Sequence, residues 1–156
     1  MSTTRSHGMQ GWSTTDDGHR VLVVDLDGMP GSVRDARHAT TEFLAGVRVG
    51  RRLDAADAAV SDVLLVVAEL VANACRHAPG PCRLTVTLTN AAAEIAVQDT
   101  AHGYLPIAGR RGRPAGYGLL IVTRLTGGIH VLPAPDGKIV RATVPLPGLW
   151  PRPVPV

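Results

Sequence analysis

Aromatic side chains are scarce in this sequence: one Phe, two Tyr and two Trp make up 3% of 156 residues. A nucleic-acid-binding function that stacks bases on exposed rings is therefore poorly supported. The formal net charge is only +3, and the arginines occur singly or in short groups, so sequence-specific DNA binding is not indicated. The hydrophobic fraction of 45% instead predicts one folded domain with a core of Val, Leu, Ala and Ile.

Cysteine is also rare, and a long apolar run is missing. The two cysteines, Cys75 and Cys82, form no CxxC framework, so we interpret them as reduced thiols of a cytoplasmic protein. A zinc site formed by both with His77 is disfavoured, because the spacing fits no common pattern and a fourth ligand is missing. No stretch of about 18 consecutive apolar residues occurs, and the polar N-terminus has no signal-peptide core. We therefore expect no membrane span.

Hydrophobic periodicity predicts the order of the secondary-structure elements. We expect a flexible, polar N-terminal tail (1–18) and a Pro-rich C-terminal tail (147–156) to flank a domain at 19–146. Within the domain we predict strands at 19–26, 83–89 and 94–99, helices at 33–47, 54–77 and 116–126, and a final hairpin at 129–132 and 138–144. This order favours an α/β (α+β) two-layer sandwich. Its sheet is mixed but mainly antiparallel, with helices on one face.

The predicted helix 54–77 carries three polar residues at one spacing. Glu69, Asn73 and His77 stand four residues apart, so they project from nearly the same face of a largely apolar helix. An asparagine in mid-helix is disfavoured by propensity. The pattern therefore indicates a bound polar ligand, and a metal ion with phosphate is a good candidate. For His77 a structural role at the helix C-terminus is the favoured interpretation.

Two further patches suit a nucleotide. Asp99 ends a strand, where its carboxylate can accept a hydrogen bond from an exocyclic amine. Gly116 and Gly118 lead into a helix, where glycine lets the backbone approach phosphates and the helix N-terminus favours negative charge. The amide oxygen of Asn73 can bind Mg²⁺, and Glu69 can orient or deprotonate an attacking hydroxyl or water.

These residues resemble the motifs of the GHKL ATP-binding superfamily. Glu69-x-x-x-Asn73-Ala74-x-x-His77-Ala78 is similar to its N box. Asp99-x-Ala101-x-Gly103 and Gly116-x-Gly118-Leu119 are similar to its two glycine boxes. Within the superfamily, the short chain, the wording of the N box and the closing Gly-Lys-x-Val hairpin are most similar to bacterial anti-sigma factors that are also serine-protein kinases.

The resemblance implies the Bergerat ATP-binding fold and assigns roles to the matched residues. Asn73 would ligate Mg²⁺, Glu69 would be the catalytic base and Asp99 would bind the adenine amino group. The remaining matched positions would line the ATP site, with a lid running from Gly103 to Gly116 and phosphate contacts at Gly116, Gly118 and Leu119. The implied partners are an anti-anti-sigma protein, which is phosphorylated on serine, and a sigma factor. A homodimer is also implied, whereas direct nucleic-acid binding is not.

Two departures from the family pattern keep an alternative open. Ala101 replaces the first glycine of the Asp-x-Gly-x-Gly box, and its methyl group costs about 1 kcal/mol if that position needs φ > 0. Lys138-Ile139 stands where many relatives carry Thr near adenine. The alternative is therefore a binding module with weak or absent nucleotide binding that regulates transcription by protein contact alone. Arg110, Arg111 and Arg113 are either a solvated part of the lid or contacts to phosphate and partner.

A third hypothesis is that the chain is the ATPase half of a two-component histidine kinase. This hypothesis is disfavoured, because the sequence shows no pair of dimerisation helices with a phosphoacceptor histidine.

Overall fold

The computed structural model describes residues 10–47, 54–89, 91–102 and 117–146. Every predicted helix and strand is present in it, with boundaries that shift by a few residues. The strands are β1 Gln10–Thr14, β2 Arg20–Leu26, β3 Cys82–Leu88, β4 Ala92–Asp99, β5 His130–Ala134 and β6 Gly137–Pro145, and the helices are α1 Ser32–Val47, α2 Asp54–His77 and α3 Tyr117–Thr126. Residues 103–116 and the C-terminal segment 147–156, for which a lid and a Pro-rich tail were predicted, lie outside the described residues.

The six strands form one sheet in the order β1-β2-β3-β4-β6-β5, and each neighbouring pair is antiparallel. Alternate side chains of the strands, such as Val86 and Ile95, are fully buried, whereas Thr85 and Thr87 on the other face stay partly exposed. An antiparallel sheet with one apolar face needs a single covering layer of helices. The predicted two-layer sandwich is thus confirmed, with a sheet that is antiparallel throughout the described strands.

The long helix α2 supplies the centre of the core. Its buried residues Val63, Val66, Val67, Leu70 and Val71 recur at intervals of three and four, and each is almost completely shielded from solvent. This stripe packs on the apolar face of the sheet. The segment Ala58–His77 is long and apolar enough to cross a bilayer, with a mean hydropathy of 1.8. Its buried stripe accounts for that hydropathy as the core helix of a folded domain.

The N-terminal segment departs from the sequence prediction. Residues 10–14 were expected to belong to a flexible tail, but they form β1 and pair with β2 at the sheet edge. Trp12 packs edge-on against Phe43 of α1, with 6.1 Å between ring centroids. All five side chains of β1 are exposed, so the strand leaves no alternating burial pattern in the sequence. Its backbone ladder and the Trp12 contact hold it in place.

Both cysteines are free thiols, as the sequence analysis predicted. Cys75 is half-buried near the end of α2, whereas Cys82 is buried at the start of β3. Burial of Cys82, together with the nearby Cys75 thiol, raises the pKa of the Cys82 thiol to about 12. Because the thiolate is the reactive form, this upward shift of the pKa disfavours reactions of the Cys82 thiol at neutral pH.

Candidate functional site

The helix face predicted from the sequence lies partly against the sheet. α2 packs against β4, β6 and α3. Asn73 is only 4% exposed, which makes it one of the few buried polar residues in the described chain. Glu69, one turn earlier, is half-buried, and His77 is exposed in the last turn. The structure therefore separates the exposed His77, in the last turn of the helix, from the half-buried Glu69 and the buried Asn73.

Asp99 lies at the end of β4 on the face covered by the helices, and it is 3% exposed. Its Oδ1 atom accepts a hydrogen bond of 2.9 Å from the backbone N–H of Ala101. The same oxygen forms an ion pair with Lys138 Nζ at 3.0 Å. The other oxygen, Oδ2, is buried and has no hydrogen-bond partner in the described chain. A buried carboxylate oxygen without a donor is costly, so Oδ2 is suited to accept a hydrogen bond from a ligand.

Lys138 is the site residue that the sequence analysis missed as a partner of Asp99. It stands directly opposite Asp99 in the β4–β6 ladder and is 5% exposed. The signal was present in β6, because Lys138 falls in register with the buried residues Val140, Ala142 and Val144. A lysine on the apolar face of a strand needs a buried partner. Only the strand register identifies that partner as Asp99.

Gly137 brings the start of β6 close to Asp99. Its φ is +157°, and a Cβ at this position would overlap the backbone carbonyl oxygen of Asp99. The obstacle is backbone, which does not swing aside as a side chain does. Glycine at this position therefore lets β6 start next to Asp99, where the following residue, Lys138, reaches the carboxylate.

The second glycine box meets the polar face of α2. A Cβ at Gly118 would overlap the carboxylate of Glu69, so this carboxylate lies directly against the Cα of Gly118 in the first turn of α3. Leu119, the next residue, is buried in the core. The backbone of the α3 N-terminus thus lies beside Glu69, while Leu119 anchors the helix in the core. Gly103 and Gly116 lie outside the described residues.

The donor set suits a nucleotide with a magnesium ion better than a metal held by protein alone. In the described parts of the chain, no group of three or more His, Cys, Asp or Glu residues is placed to hold a metal. Mg²⁺ commonly takes one or two protein oxygens and completes its octahedron with phosphates and water. The buried Asn73 amide fits the first requirement, and the free Oδ2 of Asp99 fits the exocyclic amine of a base.

Comparison with known families agrees with this arrangement. Residues 27–144 match the family model described as the histidine kinase-like ATPase domain. The match includes α1, α2, β3, β4, α3, β5 and all of β6 except Pro145, and thus every described residue of the site. Among curated proteins, none gives a significant match to this chain. Since the family model spans more than half of the sequence, the chain belongs to the histidine kinase-like ATPase family, and its fold is the GHKL-type ATP-binding fold.

Proposed function

We propose that this protein binds Mg-ATP and transfers the γ-phosphate to a serine of an anti-anti-sigma partner. The proposal rests on two features that occur together in this domain. Among the described residues, the buried Asp99 carboxylate keeps one oxygen without a partner. The α2 face carries the buried Asn73 and, one turn earlier, Glu69, whose carboxylate lies next to the N-terminus of α3. Membership of the ATPase family supports the nucleotide, and the resemblance of the N box supports the serine kinase.

Each residue has a distinct role in the proposed transfer. The serine oxygen bonds to the γ-phosphorus as the bond to the β,γ-bridging oxygen breaks, ADP departs, and Glu69 takes the proton of the hydroxyl. When bound, Mg²⁺ neutralises phosphate charge, and Asn73 supplies a protein oxygen for it. Asp99 orients the base. Glu69 is partly buried, and its carboxylate lies against the backbone of Gly118.

The regulatory part of the proposal concerns the partners. By resemblance to the anti-sigma kinases, the same domain sequesters a sigma factor, and the unphosphorylated anti-anti-sigma protein releases the sigma factor from it. The chain acts as a homodimer in the cytoplasm on this proposal. Phosphorylation of the partner would then set how much sigma factor is free.

The direct test is phosphotransfer from γ-labelled ATP. The purified chain is incubated with Mg²⁺, labelled ATP and candidate anti-anti-sigma proteins, and phosphoserine is mapped by mass spectrometry. We expect label on one serine of a cognate partner and none on its Ser→Ala variant. If the purified chain binds Mg-ATP but transfers no phosphate to any anti-anti-sigma protein encoded with it, the kinase assignment is refuted.

A second candidate function is a binding module that acts by protein contact alone. Two observations favour it: Ala101 replaces a glycine of the first box, and Lys138 already occupies Oδ1 of Asp99. On this alternative the fold and the partner surface are retained, but Mg-ATP gives no binding signal. Phosphotransfer and nucleotide titration therefore separate the two candidates.

Substitution of Gly118 with alanine tests the close contact with Glu69. The new methyl group displaces the Glu69 carboxylate, which is the end of a flexible side chain, so the fold accommodates it. Helix propensity favours alanine over glycine by about 1 kcal/mol, so we expect the free energy of unfolding to change by no more than about 1 kcal/mol. Phosphotransfer should fall by roughly 10- to 100-fold, because a misplacement of about 1 Å is enough for such a loss.

The matched control for this variant is Gly11→Ala, at a position where an added Cβ meets no neighbouring atom. Urea unfolding and the transfer rate are measured for both variants. If Gly118→Ala keeps the wild-type transfer rate, the carboxylate of Glu69 is not held where the proposal needs it.

A further inference from the structure

Lys138 is unusual in both the sequence and the structure. Of the 16 Lys and Arg residues in the chain, it is the only lysine. Lysine is almost never fully buried unless paired, yet this side chain is 6% exposed. The remaining 15 of these basic residues are arginines, and the single lysine side chain is buried beside Asp99.

The ion pair leaves hydrogen-bonding capacity unused on both partners. An ammonium group has three donors and no acceptor, and Asp99 Oδ1 is the acceptor that Lys138 Nζ has within the described chain. Asp99 Oδ2 in turn is buried without a donor among the described residues. A free acceptor therefore stands next to free donors in one buried place. A purely structural pair would be expected to satisfy these groups within the protein.

A neighbouring donor and acceptor are what the edge of adenine presents. Its exocyclic N6 amine donates a hydrogen bond, and the adjacent ring nitrogen N1 accepts one. Asp99 Oδ2 matches the amine, and an N–H of Lys138 matches N1. Without Lys138, the Asp99 carboxylate could recognise only the N6 amine of adenine. The neutralising ammonium also removes the cost of leaving an isolated buried carboxylate beside a neutral base.

We propose that Lys138 is a specificity-determining residue that donates a hydrogen bond to N1 of the adenine base while Asp99 accepts one from the N6 amine. The inference rests on the nucleotide binding of the proposed function and deepens it at the base. It also assigns a use to Lys138 where relatives carry Thr. Arginine would not serve in its place, because the planar guanidinium is larger and presents its donors in a fixed fork.

The test compares ATP with 1-deaza-ATP, in which N1 is replaced by a carbon–hydrogen group. Dissociation constants are measured by isothermal titration of the full chain with Mg²⁺, and 7-deaza-ATP serves as the control analogue. Hydrogen bonds to charged groups are worth about 1.5–3 kcal/mol, so we expect 1-deaza-ATP to bind roughly 10- to 100-fold more weakly than ATP. The control analogue should bind within about threefold of ATP, since N7 lies outside the proposed contact.

Each outcome has a defined meaning. Equal affinity for ATP and 1-deaza-ATP overturns the role of Lys138 while leaving nucleotide binding intact. Tighter binding of GTP than ATP also overturns it, because a guanine edge would then pair its N1–H with Asp99 and its O6 with Lys138. If neither ATP nor its analogues bind, it is the proposed function that fails, and the inference fails with it.

A substitution at Lys138 tests whether this residue causes the discrimination between ATP and 1-deaza-ATP. In Lys138→Met, ATP should bind more weakly and the discrimination against 1-deaza-ATP should disappear, because the donor to N1 is gone. If the unpaired Asp99 unfolds this variant, wild-type protein labelled with ¹⁵N-lysine provides the second measurement, since one lysine gives one ammonium signal. ATP should shift that signal and 1-deaza-ATP should shift it less. Identical shifts with both nucleotides would contradict the proposed contact.

Discussion

Replacing Glu69 with glutamine is expected to lower the rate of serine phosphorylation by at least roughly 100-fold, the low end of what a general base contributes. Glutamine keeps the size of the side chain beside Gly118, but it cannot take the proton of the attacking hydroxyl. In this proposal Glu69 acts in the phosphate transfer and does not contact the adenine base. Mg-ATP affinity should therefore stay within about threefold of wild type. Single-turnover transfer from γ-labelled ATP and calorimetric titration measure the two quantities separately.

The matched control is Glu42→Gln. Glu42 is an exposed glutamate on α1, where it contacts His38 on the surface, and its substitution should leave both quantities unchanged. A Glu69→Gln variant that transfers phosphate at the wild-type rate would show that another group accepts the proton. A variant that no longer binds Mg-ATP would show that Glu69 acts in binding instead.

Replacing Asp99 with alanine is expected to lower the free energy of unfolding by about 3–5 kcal/mol, because the substitution leaves the buried Lys138 ammonium without its partner. The chain offers a matched control in Asp25→Ala. Asp25 pairs with Arg83 through two hydrogen bonds, but both side chains are exposed. An exposed ion pair contributes about 0–1 kcal/mol. Urea unfolding of the two variants compares a buried and an exposed carboxylate in adjacent parts of one sheet.

A double variant separates the loss of the partner from the loss of packing. Asp99→Ala combined with Lys138→Met removes the isolated charge, so a large part of the stability lost in Asp99→Ala should return. If Asp99→Ala costs no more than Asp25→Ala, the Asp99–Lys138 pair is exposed to water in solution. The buried polar site described above would then be wrong.

The fold was predictable where burial leaves a period in the sequence. In β3, Leu84 and Val86 alternate with Thr85 and Thr87, and in α2 the buried residues recur at helical spacing. These patterns fixed the element type and, with the element order, the two layers. The edge strand β1 could not be found in this way. Its side chains are all exposed, and what holds it, a backbone ladder and the contact of Trp12 with Phe43, involves residues distant in the chain.

The candidate site was predictable at the level of motifs but not of pairings. The spacing of Glu69 and Asn73 and the Gly-x-Gly motif at the start of α3 indicated candidate residues for a site, and in the structure Gly118 lies against the Glu69 carboxylate. The Asp99–Lys138 pair depends on the register between β4 and β6, which no local pattern specifies. From the sequence, Lys138 is only a departure from the threonine that many relatives carry at this place. In the structure it is the partner that neutralises Asp99 and holds one of its oxygens.

The most direct test of nucleotide binding at this site is an isothermal titration with Mg-ATP of the wild-type chain and of Asp99→Asn. Asparagine retains the shape of the side chain but weakens the acceptor for the base amine. We expect a saturable heat for wild type, a melting temperature that rises with nucleotide because the ligand binds the folded state, and affinity in the variant lower by about tenfold or more. No heat and no thermal shift at millimolar Mg-ATP, or equal affinity in both proteins, would contradict a nucleotide site built around Asp99.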